Sequence, residues 1–144
     1  IKGEAMTVEN YLAEAGALAT LAGILAGFAI SAVIQLLSSN VETKIATATI
    51  VTYSAATVMF LYSLIVFIMV FAATAEQNLV NPDLDSLGTI ALLVLYGAVF
   101  VFLAAIGMTG WIRSRVTGIL TSSFAVITMC LIGIAIISVT AVFA

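Results

Sequence analysis

The chain has 144 residues, 64% of them hydrophobic and 8% charged, with a formal net charge of −3 at pH 7. A soluble domain carries about 45–50% apolar and 25% charged residues, so this balance excludes an ordinary soluble fold and points to a membrane protein. With no histidine, one cysteine and four cations, histidine-based haem and metal sites, imidazole proton relays, thiolate clusters and a nucleic-acid footprint are excluded as well.

The charged residues are confined to Lys2, Glu4, Glu9, Glu14, Glu42, Lys44, Glu76, Asp83, Asp85, Arg113 and Arg115. The uncharged gaps between them, 15–41, 45–75, 86–112 and 116–144, each exceed the roughly 20 residues that cross a hydrocarbon core about 30 Å thick. The sequence therefore predicts an all-α polytopic membrane protein. One domain holds four transmembrane helices over about 8–38, 42–76, 82–112 and 115–144. Apolar runs of this length exceed the roughly 10-residue alternating strands of a membrane barrel.

Helix 1 is expected to start near Thr7, where Thr-Val-Glu-Asn supplies a capping hydroxyl and places acidic residues at the positive end of the helix dipole. Ile1 is not an initiator residue, and Met6 is a candidate natural start. No cleavable signal peptide is expected, because the first apolar segment follows acidic residues and is too long for an h-region. SSNVET, 38–43, is a short first loop. Helix 2 is long enough to tilt or to protrude from the bilayer. Asn81-Pro82-Asp83 reads as an N-cap followed by proline at the first position of helix 3. WIRSRVTG leaves almost no connection before helix 4, which predicts an antiparallel hairpin of helices 3 and 4. Cys130, inside the fourth run, is expected to behave as a small hydrophobe.

Loops one and three carry Lys44, Arg113 and Arg115, whereas the N-terminal segment and loop two carry Lys2 amid acids. The positive-inside rule then puts both termini outside.

Polar groups within membrane spans are costly, so they are the first functional candidates. In helix 1 a spacing of four gives Ala15, Ala19, Gly23, Gly27, Ser31 and Gln35, the small-residue pattern that lets backbones approach closely. Ordinary packing within the bundle is one reading of Ala19, Gly23 and Gly27. Packing of several helix 1 copies around a common axis is the other. Gln35 either bonds to a neighbouring helix or lines an aqueous path. Stepping back from it by four and three gives Ser31, Phe28, Ile24, Leu21, Ala17 and Glu14 on one face. That face is polar at both ends and apolar between them, which suits a hydrophobic gate between two wet vestibules. Glu14 is either a solvated interfacial carboxylate or the site of a proton-coupled transporter. The hydroxyls at Thr47, Thr49, Thr52, Ser54, Thr57 and Ser63 can bond back to their own helix and need no partner. Trp111 beside Arg113 reads as an interface anchor.

LAGFAISAVIQL, 25–36, resembles the first transmembrane helix of the Orai family of calcium-release-activated calcium channels, in which a small-Gly-Phe-Ala element precedes the filter residue by about two turns. TYSAATVMFLYSLIVFIM, 52–69, is similar in character to the family's second helix. FLAAIGMTGWIR, 102–113, resembles its third through Phe-Leu-Ala and Trp-x-basic. The resemblance implies a hexamer with helix 1 around a central pore and the other helices outside it. Gln35 then falls at the filter position, with Ser31, Phe28 and Ile24 following along the pore. The resemblance also implies both termini in the cytoplasm, against the positive-inside assignment above, and three residue departures stand against the family's pattern and its calcium selectivity. A neutral Gln replaces the filter glutamate, Ala105 replaces the glutamate of helix 3, and the acidic VENYLAEAG replaces a basic extension.

The expectation from these residues is a symmetric homo-oligomeric ion channel in the cell (plasma) membrane, not an enzyme. It has Gln35, Ser31, Phe28, Ile24, Leu21 and Glu14 on the pore and no cofactor or metal. Its expected partners are the lipid bilayer, copies of itself, other membrane subunits and permeating ions, with no nucleic acid. The alternatives are a structural or accessory subunit of a larger membrane complex and a small proton-coupled transporter using Glu14.

Overall fold

The computed structural model describes residues 7–144, so Lys2, Glu4 and the candidate start Met6 lie outside the described residues. Four helices follow one another: α1 (Val8–Ser38), α2 (Lys44–Gln77), α3 (Pro82–Arg113) and α4 (Arg115–Phe143). Each is long and apolar enough to cross a membrane, and by length and composition the chain is a polytopic membrane protein. At 1.5 Å per residue the 34 residues of α2 extend about 51 Å, well beyond a core about 30 Å thick. The ends of the helices therefore reach the interfacial layers.

Local chemistry sets the boundaries. Thr7 caps α1, its Oγ1 accepting the Asn10 N–H at 3.2 Å, which satisfies one of the orphan donors of the first turn. Thr43 caps α2 in the same way through the Ala46 N–H at 3.1 Å, so Glu42 stays outside a helix that the sequence predicts from about residue 42. α2 ends at Asn78, whose φ of 50° is left-handed and whose N–H reaches the Thr74 carbonyl, a geometry asparagine tolerates. Asn81 caps α3 through the Asp83 N–H at 2.9 Å, with Pro82 at the first helical position as the sequence indicates. Ser114 alone, extended at φ −163° and ψ 163°, closes α3 and caps α4.

The helices pack in chain order, α1 on α2, α2 on α3 and α3 on α4. Gly16 meets Phe71 and Gly23 meets Leu64 as α1 rises and α2 falls. Tyr53 meets Thr109 in the same antiparallel sense between α2 and α3. The expected α3–α4 hairpin is present, with Gly107 against Ser122 and Gly110 against Thr117 and Thr121. α1 and α3 are therefore parallel. Their N-terminal ends gather Glu9, Glu14, Asp83, Asp85 and, from the end of α2, Glu76, while Lys44, Arg113 and Arg115 lie at the opposite end with Glu42.

The core runs through α2, where Ala56, Phe60, Val66, Phe67 and Val70 are buried against Ala22, Ala26 and Ala29 of α1 and Ala91, Leu95 and Ala98 of α3. Lipid is as apolar as these side chains, so close packing and interhelical hydrogen bonds hold the helices together. Small alanines on α1 and α3 let both approach the larger side chains of α2, and Phe102 of α3 sets its ring edge-on to Tyr53 and Phe60. Across the α2–α3 seam, Ser63 Oγ lies 3.1 Å from the Ala91 carbonyl and the Tyr53 and Thr109 hydroxyls are 2.9 Å apart.

The α3–α4 seam is closer still. Thr121 Oγ1 and Ser122 Oγ reach the Gly107 carbonyl at 3.0 and 3.3 Å, and Trp111 Nε1 donates to Ser122 Oγ at 2.8 Å. Trp111 thus ties the hairpin together in addition to standing beside Arg113. Gly118 leaves the room its ring occupies. α4 buries only Gly118 and Ala125, so most of its apolar surface has no protein neighbour in the chain. Cys130 is on this exposed part of α4.

Candidate pore-lining face and interhelical cleft

The geometry of α1 follows from its pitch. Four residues turn a helix of 3.6 residues per turn by about 400°, so a row spaced by four drifts about 40° at each step. From Ala15 to Gln35 the drift is five steps, about 200°, which carries the row from one side of α1 to the other. Ala15 is buried, Ala19 packs at the edge of the core, Gly23 faces Leu64, and around Gly27 nothing lies within 4 Å of an added Cβ. The face that α1 presses on its neighbours is instead Ala15, Ala22, Ala26 and Ala29, which alternating steps of seven, four and three keep aligned. Within the described chain, a side chain at Gly27 would therefore stand in open space, and Ala22, Ala26 and Ala29 are packing residues that the row of four passes over.

The stripe drawn through Gln35, Ser31, Phe28, Ile24, Leu21 and Glu14 lies opposite that buried face. Leu21, Ile24 and Phe28 are 45%, 53% and 61% exposed, and Ala17, Ser31, Gln35 and Glu14 are exposed with them. Glu14 and Gln35 are 21 residues apart, about 31 Å along the axis, which matches the thickness of a hydrocarbon core. The polar ends of the stripe are thus spaced by about one bilayer thickness, with the apolar residues between them.

Its polar members differ in what they lack. Ser31 Oγ donates to the Gly27 carbonyl at 2.9 Å, the back-bonding also made by Ser123, Thr128 and Thr140 on the exposed side of α4. These hydroxyls are satisfied where they stand. The Gln35 side chain has no hydrogen-bond partner among the described residues, so no helix of this chain satisfies it.

Glu14 also borders a second feature. It lines a cleft of about 80 Å³ between α1, α2 and α3 together with Tyr11, Ala15 and Leu18, with Asp85, Gly88, Thr89 and Leu92, and with Phe67 and Val70 beneath. The juxtaposition of Glu14 with Asp85 is not apparent from residue spacing. The signal for it is topological: both stand within seven residues of the start of helices that run parallel. One turn of α2 beyond Val70, Thr74 is fully buried and its hydroxyl has no partner among the described residues. Among these residues no group of three or more acidic or cysteine side chains is arranged to hold a metal ion.

Comparison with known proteins finds no family model, no curated protein and no solved structure that matches the chain.

Proposed function

We propose that the protein is a homo-oligomeric ion-conducting pore in which the exposed stripe of α1 faces the pore axis, with Gln35 as a polar ring and Phe28 and Ile24 as the hydrophobic gate. The observation that carries this reading is the stripe itself: an unpartnered face, about one bilayer thick, polar at both borders and closed in the middle by large apolar side chains. Two further facts support it. α1 stands at one edge of a serial packing order, so copies can meet through it without displacing other helices. The exposed hydroxyls of α4 at Ser123, Thr128 and Thr140 are internally satisfied, which suits α4 to lipid at the opposite edge. A pore lined by helix 1 is also what the resemblance of 25–36 to Orai channels implies, although with the opposite orientation. Being neutral, a Gln35 ring gives no strong preference for divalent over monovalent cations. The end bearing Lys44, Arg113 and Arg115 faces the cytoplasm of a cell (plasma) membrane in this reading.

The test is ion flux into liposomes reconstituted with the full chain. Phe28→Ser, which wets the gate, raises basal flux severalfold, and Gln35→Leu reduces it to the protein-free level. Equal flux from the wild type and both variants would falsify the pore. A second reading, an accessory subunit of a larger membrane complex, is favoured by the two free edges, α1 and α4, which would let the chain sit between partners. Native mass spectrometry separates the two readings: a closed ring of identical chains supports the pore, and fixed stoichiometry with other proteins supports the subunit.

A further inference from the structure

The cleft between α1, α2 and α3 is separate from the apolar part of the pore stripe, and its lining has a distinct chemical character. Its mouth carries two carboxylates, Glu14 on α1 and Asp85 on α3, and neither lysine nor arginine lines it. The described bases are remote: Arg113 is 28 residues along α3 from Asp85, about 42 Å at helical rise. Among the described residues the carboxylates therefore have no counter-charge within the cleft.

Beneath them the cleft is apolar and aromatic. Phe67 and Val70 of α2 form its floor, with Leu18 and Leu92 on the deeper walls and Tyr11 on the upper wall, its hydroxyl 3.5 Å from where a Cβ of Gly88 would stand. Hydrogen-bonding capacity is low. The Thr89 hydroxyl is committed to the Asp85 carbonyl at 3.0 Å. Acceptors for an ammonium are confined to the two carboxylates at the mouth, and Phe67, Val70, Leu18 and Leu92 offer it none. A cation whose surface is methyl groups fits both halves, with its charge attracted by the carboxylates and its methyls against the rings of Tyr11 and Phe67 and the apolar floor. The cleft holds about 80 Å³, several times the roughly 10–15 Å³ that one water needs, so a small head group has room. A quaternary ammonium head has five heavy atoms.

Depth agrees with this chemistry. Asp85 is the fourth residue of α3 and Glu14 the seventh of α1, whereas Leu92 is the eleventh of α3. The mouth is thus at the headgroup level and the floor reaches toward the acyl chains, as an amphiphile requires.

We propose that this cleft binds a quaternary ammonium head group. Its source is either a choline lipid of the surrounding bilayer or a free amphiphilic cation. The site does not depend on the pore, since it lies within one chain.

The test is calorimetric titration of the full chain in a maltoside detergent with tetramethylammonium chloride, at constant ionic strength set with sodium chloride. Saturable binding is expected, weakened at least fivefold in both Glu14→Gln and Asp85→Asn and unchanged in Glu9→Gln, whose carboxylate is outside the cleft. Gly88→Val provides a variant that keeps both carboxylates but fills the space beside Tyr11, and it loses binding too. Absence of saturable binding, or binding that none of the three cleft variants weakens, overturns the proposal. The source is read from the same titration in nanodiscs: binding present in phosphatidylglycerol and suppressed in phosphatidylcholine assigns the site to the lipid head group, and equal binding in both assigns it to a free cation.

Discussion

Substituting Gly110 by alanine tests whether the α3–α4 seam holds the hairpin together. An added Cβ would stand 2.6 Å from the Thr117 carbonyl oxygen and against the Thr121 hydroxyl, where ordinary contacts begin at 3.4 Å. The Thr121 side chain can turn away, but the carbonyl belongs to the α4 backbone, so the helices must separate by about 0.8 Å to restore the ordinary 3.4 Å from 2.6 Å. A separation of that size stretches the 3.3 Å contact from Ser122 Oγ to the Gly107 carbonyl beyond hydrogen-bonding range. Overpacking of this kind costs about 1–3 kcal/mol, and a lost interhelical hydrogen bond adds about 0.6 kcal/mol. Helix propensity works the other way, by about 1 kcal/mol in favour of alanine. The net expectation is a destabilisation of about 0.6–2.6 kcal/mol, concentrated on α4, whose packing is chiefly on α3. Hydrogen exchange of the detergent-solubilised protein reads it directly: amides of α4 exchange faster in Gly110→Ala while those of α2 keep their protection. Unchanged or slower exchange in α4 would show that propensity outweighs the contact and that the seam is looser than its geometry.

Two other substitutions probe different seams. Thr74→Val replaces a fully buried hydroxyl without a partner among the described residues by a methyl of similar size. It should stabilise the fold by about 1–2 kcal/mol, the desolvation cost of an unsatisfied group, and a thermal midpoint that falls instead of rising would show that the hydroxyl has a partner. Gly27→Leu adds a side chain where nothing lies within 4 Å, so the monomer's thermal midpoint should hold. If α1 copies pack together, the oligomer seen by native mass spectrometry should dissociate, and an intact ring would place the contact elsewhere on α1.

Much of the architecture was legible in the sequence because charge in a bilayer is expensive: eleven charged positions divide the chain into apolar runs of spanning length. The caps were legible for a local reason, since Thr7 and Asn81-Pro82 satisfy backbone donors within three residues of themselves. Thr43 follows the same rule, and without using it as a cap the expected start of α2 fell at 42, two residues before Lys44. The stripe from Glu14 to Gln35 could likewise be drawn from periodicity, because faces of a single helix depend on 3.6 residues per turn alone.

Relations between helices needed the tertiary structure. A row of small residues indicates that close approach is permitted, and many rotations of α1 would satisfy it. Burial of Ala22, Ala26 and Ala29 against α2, with Gly27 left open, was decided by which side of α1 fits around Phe60 and Val66. Similarly, Trp111 is adjacent to Arg113 in sequence, yet only the one-residue reversal at Ser114 brings its ring onto Gly118 and its Nε1 to Ser122. Glu14 and Asp85 are 71 residues apart and share a cleft because antiparallel packing of successive helices makes α1 and α3 parallel. The sequence alone determined four helices long and apolar enough to cross a bilayer and where α1, α3 and α4 begin, since burial of charge and satisfaction of terminal N–H groups are local costs. Which faces meet, which stay open and which carboxylates become neighbours was decided by packing between segments distant in the chain, whose energy depends on shape matched in three dimensions.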